Sequence, residues 1–234
     1  TGPGVWEAAL QSQMGIDAAD RANLFKTFAK VFFQKRDLMA TFMAKWSMDY
    51  PGQSGHYHFS VCDENDINVF ADGAALDGMS EAQRFAVGGL QRYLSELLPM
   101  LAPTINSYTR LVKGAWAPTA ATWGLENRTA AIRVIPGGSS SQRIECRVGG
   151  ADANPYLVAA AVLSAGLAGI REKLEPERAI QGNAYEIEDS LPEHLRFATN
   201  LADAADKMHK SDLARRAFGD EFVEHFVMSR RWEV

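Results

Sequence analysis

The sequence predicts an α+β fold whose sheet is antiparallel, with helices outside it and a helical C-terminal region. Short alternating segments gather in the first two-thirds of the chain, and helical periods dominate after Asn154-Pro155. The clearest strand signal is Arg143-Ile144-Glu145-Cys146-Arg147, because strand side chains two apart share a face.

Trp6 to Leu10 reads as a short strand after the Gly2-Pro3-Gly4 turn. A helix is expected from about Asp17 to Arg36, where Leu24, Phe25, Phe28, Val31 and Phe32 form an apolar stripe. Asp17 or Asp20 can cap its start. Thr41 to Ala44 reads as a strand, and Asp49 to Ser54 as a turn-rich loop around Pro51 and Gly52. Gly55 to Cys62 alternates, and Asp63 to Asp66 makes a polar hairpin into Ile67 to Phe70. Ser80 and Gln83 suggest a capping box opening a long helix to about Leu101. Pro103 lets a new helix start and run to Leu111. Lys113 to Asn127 reads as a loop, with Gly114, Pro118 and Gly124. Strands are expected over Thr129 to Ile135 and Arg143 to Val148, joined by a Gly/Ser-rich turn at 136–141.

Composition narrows the function classes. The chain has 234 residues, 47% of them hydrophobic, enough for one large domain or two small ones. The net charge of −5 argues against a nucleic-acid partner, which calls for a basic face. Two cysteines, Cys62 and Cys146, are too few for a disulfide framework, and a cytoplasmic setting is expected. The opening residues carry no basic run of the kind that begins a signal peptide. Pro155 to Ile170 is uncharged, but it falls short of the roughly 20 apolar residues of a bilayer span. Ser164, Gly166 and Gly169 interrupt it, so a helix buried on most of its surface is the expectation, with no membrane partner.

The charged face of the 143–147 strand cannot join an apolar core, because buried charges need partners. It either lines a polar cleft or pairs Arg143, Glu145 and Arg147 for structure alone. His56 and His58 share a face with Ser60 beyond them, a pattern that suits metal or phosphate as well as plain surface hydrogen bonding. Glu7 follows a tight Gly-Pro-Gly bend, where a carboxylate can meet a hard cation. Arg110, Arg128, Arg133, Arg143 and Arg147 lie on or beside these segments, and a guanidinium fork fits carboxylate and phosphate oxygens. Such a set suits ATP-dependent transfer, yet no Walker-type loop exists here.

Taken together, Gly2-Pro3-Gly4-Val5-Trp6-Glu7, Thr41-Phe42-Met43-Ala44-Lys45, Gly55-His56-Tyr57-His58-Phe59-Ser60 and Asn106-Ser107-Tyr108-Thr109-Arg110-Leu111-Val112 resemble glutamine synthetase. Glu126-Asn127-Arg128-Thr129-Ala130-Ala131-Ile132-Arg133, Arg143-Ile144-Glu145-Cys146-Arg147 and Asp152-Ala153-Asn154-Pro155-Tyr156-Leu157 continue the match in the same order. The resemblance implies an antiparallel half-barrel funnel and an ATP-dependent ligase that joins glutamate to ammonia or a small amine through γ-glutamyl phosphate. It implies two divalent cations, Mg²⁺ or Mn²⁺, with Glu7 on one ion and His56 and Glu145 on the other. By motif position Gly52, Arg110 and Arg147 match the glutamate site, and Arg128 and Arg133 match the arginines acting on the transferring phosphoryl group. His58, Ser60, Arg133 and Arg143 match the ATP side. A homo-oligomer of stacked rings is implied as well.

Three departures from the family pattern matter. Residues 1–234 match the C-terminal part of the catalytic domain, so the β-grasp domain and first catalytic strands are expected outside them and this stretch alone is expected to be inactive. Trp116 stands where ammonia-using members carry a glutamate. An indole cannot act as a base but can contact a substituted amine, which resembles the glutamate–alkylamine branch; packing of its own loop is the alternative. Ser140 occupies a position where members often carry a lysine, which keeps a non-catalytic relative, beside an ammonia-specific enzyme, among the alternatives. Tyr185 lies near a tyrosine that some members adenylylate, and it reads here as structural.

Overall fold

Alternation along the chain sorts charged from apolar side chains at the centre of a four-stranded sheet. In the computed structural model, which describes residues 2–75 and 77–234, the strands are β1 (Tyr57–Phe59), β2 (Trp123–Leu125), β3 (Ile132–Ile135) and β4 (Arg143–Cys146), in spatial order β1-β4-β3-β2. Ile132, Val134, Ile144 and Cys146 turn to one side and are buried. Against that side lies α2 (Glu81–Tyr93), which packs along α5 (Pro155–Glu172).

The sheet is mixed, not antiparallel. β4 runs antiparallel to both β1 and β3, but β2 pairs parallel to β3, Gly124 lying opposite Arg133. Parallel neighbours ordinarily need a long crossover. Here the left-handed backbone of Glu126 (φ 50°) and a turn at 127–130 bring the chain back within a few residues. The Asn127 side chain holds that turn, accepting from the Thr129 amide (3.0 Å) and hydroxyl (2.6 Å) and donating to the Ile180 and Gly182 carbonyls. β2 itself lies inside the stretch expected to be loop.

Other expectations shift in instructive ways. No strand forms at 6–10 or 41–44, where no neighbouring strand is there to pair the backbone. The 63–66 hairpin forms around the Asp63 carboxylate, which accepts from the Asn65 and Ile67 amides, but its second arm keeps only the Cys62–Asn68 bridge. The long helix from Ser80 stops at Tyr93 and resumes as α3 (Leu98–Leu101). Pro99 has no amide hydrogen to donate, and its ring would strike the carbonyl four residues back. Ser80 does accept from the Gln83 amide (3.1 Å), whereas the Gln83 side chain turns away and accepts from Gln142 (2.6 Å). The reciprocal box appears instead at Thr104 and Ser107, opening α4 (Ile105–Arg110).

α1 (Asp17–Gln34) is capped by neither Asp17 nor Asp20, and Asp20 accepts from the Tyr156 hydroxyl instead. α1 packs on α5, yet much of its apolar stripe stays open, Phe28 being 62% exposed. In α5, capped by Asn154, Val158, Ala161, Val162 and Ala165 are buried while Leu163 and Leu167 are exposed, so one side of it is uncovered. The chain closes with α6 (Leu201–His209), α7 (Asp212–Phe218) and α8 (Asp220–Arg231). Among the described residues no helix is long and apolar enough to cross a membrane.

Candidate active site

Period-two geometry and strand register together build the polar cluster. On the sheet face opposite Ile144 and Cys146, Glu145 lies directly across from His58 on β1 and from Arg133 on β3. His56 precedes β1 and Arg147 follows β4 on the same alternation. Glu145 is 2% exposed, and four groups surround its carboxylate. Arg147 Nη1 donates to Oε1 at 2.7 Å and Arg133 Nη1 to Oε2 at 3.0 Å. His56 Nδ1 lies 3.1 Å and His58 Nε2 3.6 Å from Oε1.

That company decides the charge of the site. Burial alone would raise the Glu145 pKa, but the His56 hydrogen bond and the charges of Arg147, His56 and His58 outweigh it and bring it down to about 2. Burial, with Arg143, His56 and Arg133 nearby, lowers the His58 pKa even though Glu145 opposes the shift. The site therefore holds a firmly ionised carboxylate beside an imidazole that favours its neutral form.

Arg110 is 2% exposed and donates from Nη2 to the Val148 and Gly149 carbonyls, at 2.6 Å each, which ties α4 to the segment after β4. Burial lowers its pKa to about 10, so it remains a cation at neutral pH. Gly52 lies against it: a Cβ there would come within 2.5 Å of Arg110 Cγ and 2.7 Å of the Ala44 carbonyl oxygen. Among the described residues, buried polar atoms without a partner include Arg110 Nη1, Arg147 Nε, His56 Nε2, Tyr108 Oη, Asp152 Oδ1 and Tyr185 Oη. Such atoms are costly and rare in native interiors. Asp152, Arg147 and Tyr185 among them lie close enough to Arg110 to act on its charge.

The remaining expected residues lie at varying distances from this centre. Arg143 Nε donates to His58 Nδ1 at 3.4 Å, and Ser60 is exposed just past β1. Arg128 is exposed on the turn that Asn127 holds. Trp116 is 58% exposed and adopts a left-handed backbone (φ 58°), an uncommon and strained state for an aromatic residue. Tyr185 is buried; burial raises its pKa, while the charges of Arg147 and Arg110 pull it back.

Glu7 is not brought to the cluster. It is exposed in the irregular run before α1, and no group of three His, Cys, Asp or Glu side chains able to hold an ion forms among the described residues. His56 and Glu145 fit as two protein donors for one divalent cation: His56 Nδ1 lies 3.1 Å from an ionised oxygen of Glu145, so an imidazole nitrogen and a carboxylate share one corner of the site. Mg²⁺ takes only one or two carboxylates and fills its shell with water and substrate phosphate, which a two-residue set allows.

One site residue escaped the sequence reading. Glu126 Oε2 accepts from Arg133 Nε at 2.9 Å and also from Nη2, so Arg133 is gripped between two carboxylates. Both bonds outweigh burial and raise the Arg133 pKa. The only sequence signal was Glu126's place beside Asn127-Arg128, because its reach to Arg133 depends on the unforeseen parallel pairing of β2 with β3.

Residues 1–234 match the family model described as glutamine synthetase, catalytic domain. The chain belongs to this family. It is 46% identical over 236 residues to type-1 glutamine synthetase 2 of Dictyostelium discoideum, covering 100% of this chain and 45% of that protein. It is 39% identical over 233 residues to a glutamate–isopropylamine ligase of a Pseudomonas species, covering 100% of this chain and 50% of the relative. A solved GmaS/ADP complex matches with a TM-score of 0.83 at 33% identity, over 92% of this chain and 50% of that one. The α+β catalytic fold of the glutamine synthetase family is thus established, and the chain spans about half the length of the curated relatives it matches.

Proposed function

We propose that the complete protein is an ATP-dependent ligase joining glutamate to a small primary amine through γ-glutamyl phosphate. The observation that carries this reading is the Glu145 carboxylate, buried and ionised where two histidines and two arginines converge. A scaffold gains nothing from so costly a gathering of charge.

His56 and Glu145 would hold one Mg²⁺ or Mn²⁺, which when bound neutralises phosphate oxygens. Arg110 and Arg147, each with a buried nitrogen lacking a partner, bind the carboxylates of glutamate, and Gly52 packs so closely on Arg110 that no larger residue fits beside it. Arg143, His58 and Ser60 line the ATP side. A γ-carboxylate oxygen attacks the terminal phosphorus, an O–P bond forms, and the bond to ADP breaks. Arg133 and exposed Arg128 stabilise the charge on the oxygens in transfer, so catalysis is mostly positioning and electrostatics. The alkylammonium loses one proton to water, and the amine lone pair so freed attacks the acyl carbon and expels phosphate, which carries off the second proton.

Trp116 supports a substituted amine over ammonium. Its indole is more than half exposed on a left-handed backbone, and it offers apolar and cation–π contact but no base, which favours this reading. On the same reading the chain supplies the C-terminal part of a catalytic funnel, Glu7 serves the second ion, and the cytoplasmic protein assembles as stacked rings that cover apolar faces such as that of α1.

The test is phosphate release by the full-length protein with ATP, glutamate and a panel of amines. Primary alkylamines are expected to saturate at lower concentration than ammonia; saturation by ammonia alone overturns the assignment of the amine. Calorimetry that finds neither Mn²⁺ nor nucleotide binding would leave the non-catalytic alternative standing. Replacing Trp116 with alanine is expected to lower kcat/KM for the alkylamine about tenfold, within the range of a cation–π contact, with KM for ATP unchanged. An equal loss for every substrate would assign Trp116 to its loop instead.

A further inference from the structure

We infer that Glu126 is a positioning residue for Arg133, setting which of its N–H groups face the transferring phosphoryl group. The inference rests on the reading of Arg133 given above. A guanidinium has five N–H donors in a rigid plane. Glu126 Oε2 takes Nε–H and one hydrogen of Nη2, and Glu145 Oε2 takes one hydrogen of Nη1. One donor on each terminal nitrogen is left, and a pair of that kind matches two oxygens of a phosphoryl group.

Without Glu126 the plane is free to turn its bidentate edge onto Glu145, whose Oε2 it already reaches at 3.0 Å. A fork engaged there would add positive charge to the carboxylate that pairs with His56, and its end-on donors would swing away from the phosphate. Glu126 prevents both outcomes by holding the opposite edge. Its own backbone is specialised for this, since the left-handed residue directly after β2 is also the one that donates its amide to the Val134 carbonyl at 2.9 Å. The side chain leaves a strained, doubly anchored point, and Arg133 is 14% exposed between the two acids.

The experiment compares Glu126→Gln, Glu126→Ala and Arg133→Ala in the full-length protein, following kcat, KM for glutamate, calorimetric binding of a non-hydrolysable ATP analogue, and melting temperature. Both Glu126 variants are expected to lower kcat, by about ten- to a hundredfold for a misplaced catalytic group. KM for glutamate and melting temperature should stay within twofold or a few degrees, and analogue affinity should fall no further than it does in Arg133→Ala. Glu126→Gln keeps an oxygen acceptor and so reads the charge alone if Glu126→Ala fails to fold. Unchanged kcat in Glu126→Gln while Arg133→Ala is inactive overturns the inference and leaves the proposed function intact. Parallel loss of kcat, nucleotide affinity and melting temperature overturns it too, in favour of a scaffold role. Full turnover by Arg133→Ala would instead sink the reading of Arg133 itself.

Discussion

Replacing Glu145 with alanine should reduce turnover of the full-length protein by a factor of roughly a thousand, the scale of losing a charge-stabilising group at a reaction centre. The same change should destabilise the fold by roughly 3–5 kcal/mol, the usual consequence of stripping one partner from a buried ion pair. The two effects share a cause. Arg147 donates to Glu145 at 2.7 Å, and its next contact is with His56 at 3.5 Å. Once the carboxylate is gone, a guanidinium 6% exposed faces an imidazole with no anion between them. Arg133 fares better because Glu126 still holds it.

Glu145→Gln separates shape from charge. The amide fills the same volume, so stability should recover in part, but it also brings a donor among donors and carries no charge for a cation. Turnover should therefore stay as low as in the alanine variant. Phosphate release and denaturant unfolding read the two quantities independently. Activity within tenfold of the parent in both variants would remove Glu145 from the reaction centre.

The legible and illegible parts of this site differ in physical kind. Alternation within one strand is a property of the local chain, so Arg143, Glu145 and Arg147 on one face and Ile144 and Cys146 on the other could be read directly. Which strands lie side by side is settled by packing and by backbone turns. The approach of His56 to Glu145 could be anticipated only through the family resemblance, and Glu126 with Arg133 not at all, because three residues around Gly124 carry too little pattern to announce a strand. Helical periodicity predicted α1 well but said nothing of what covers it, and its phenylalanines remain exposed. Pro99 lies inside the single helix expected from Ser80 to about Leu101, and its ring and missing hydrogen account for the break that the expectation left out.

Two glycine-to-alanine changes between the same pair of helices should have opposite signs. At Gly89 on α2, an added Cβ would lie 2.6 Å from Gly169 Cα and 2.7 Å from its nitrogen on α5, and closer still to the Ala165 carbonyl. These are backbone atoms of a packed helix, so they cannot rotate aside, and the helices would have to part along their whole contact. Overpacking of this sort costs about 3 kcal/mol or more, against a gain of about 1 kcal/mol from alanine's better helix propensity. The loss wins, and Gly89→Ala should lower the melting temperature by several degrees, at roughly 2–4 °C per kcal/mol for a chain of this size. At Gly166, on α5 itself, the new methyl would meet Ala86 Cβ and the Phe59 ring at 3.8 Å, which is ordinary contact. Propensity then stands unopposed, and Gly166→Ala should be neutral or stabilising by up to about 1 kcal/mol. Because α2 lies directly on β3 and β4, the Gly89 variant should also disturb the register that sets Arg133 opposite Glu145 and lose activity, while Gly166→Ala keeps it. Equal melting temperatures for the two variants would show that α2 and α5 do not meet at Gly89 and Gly169.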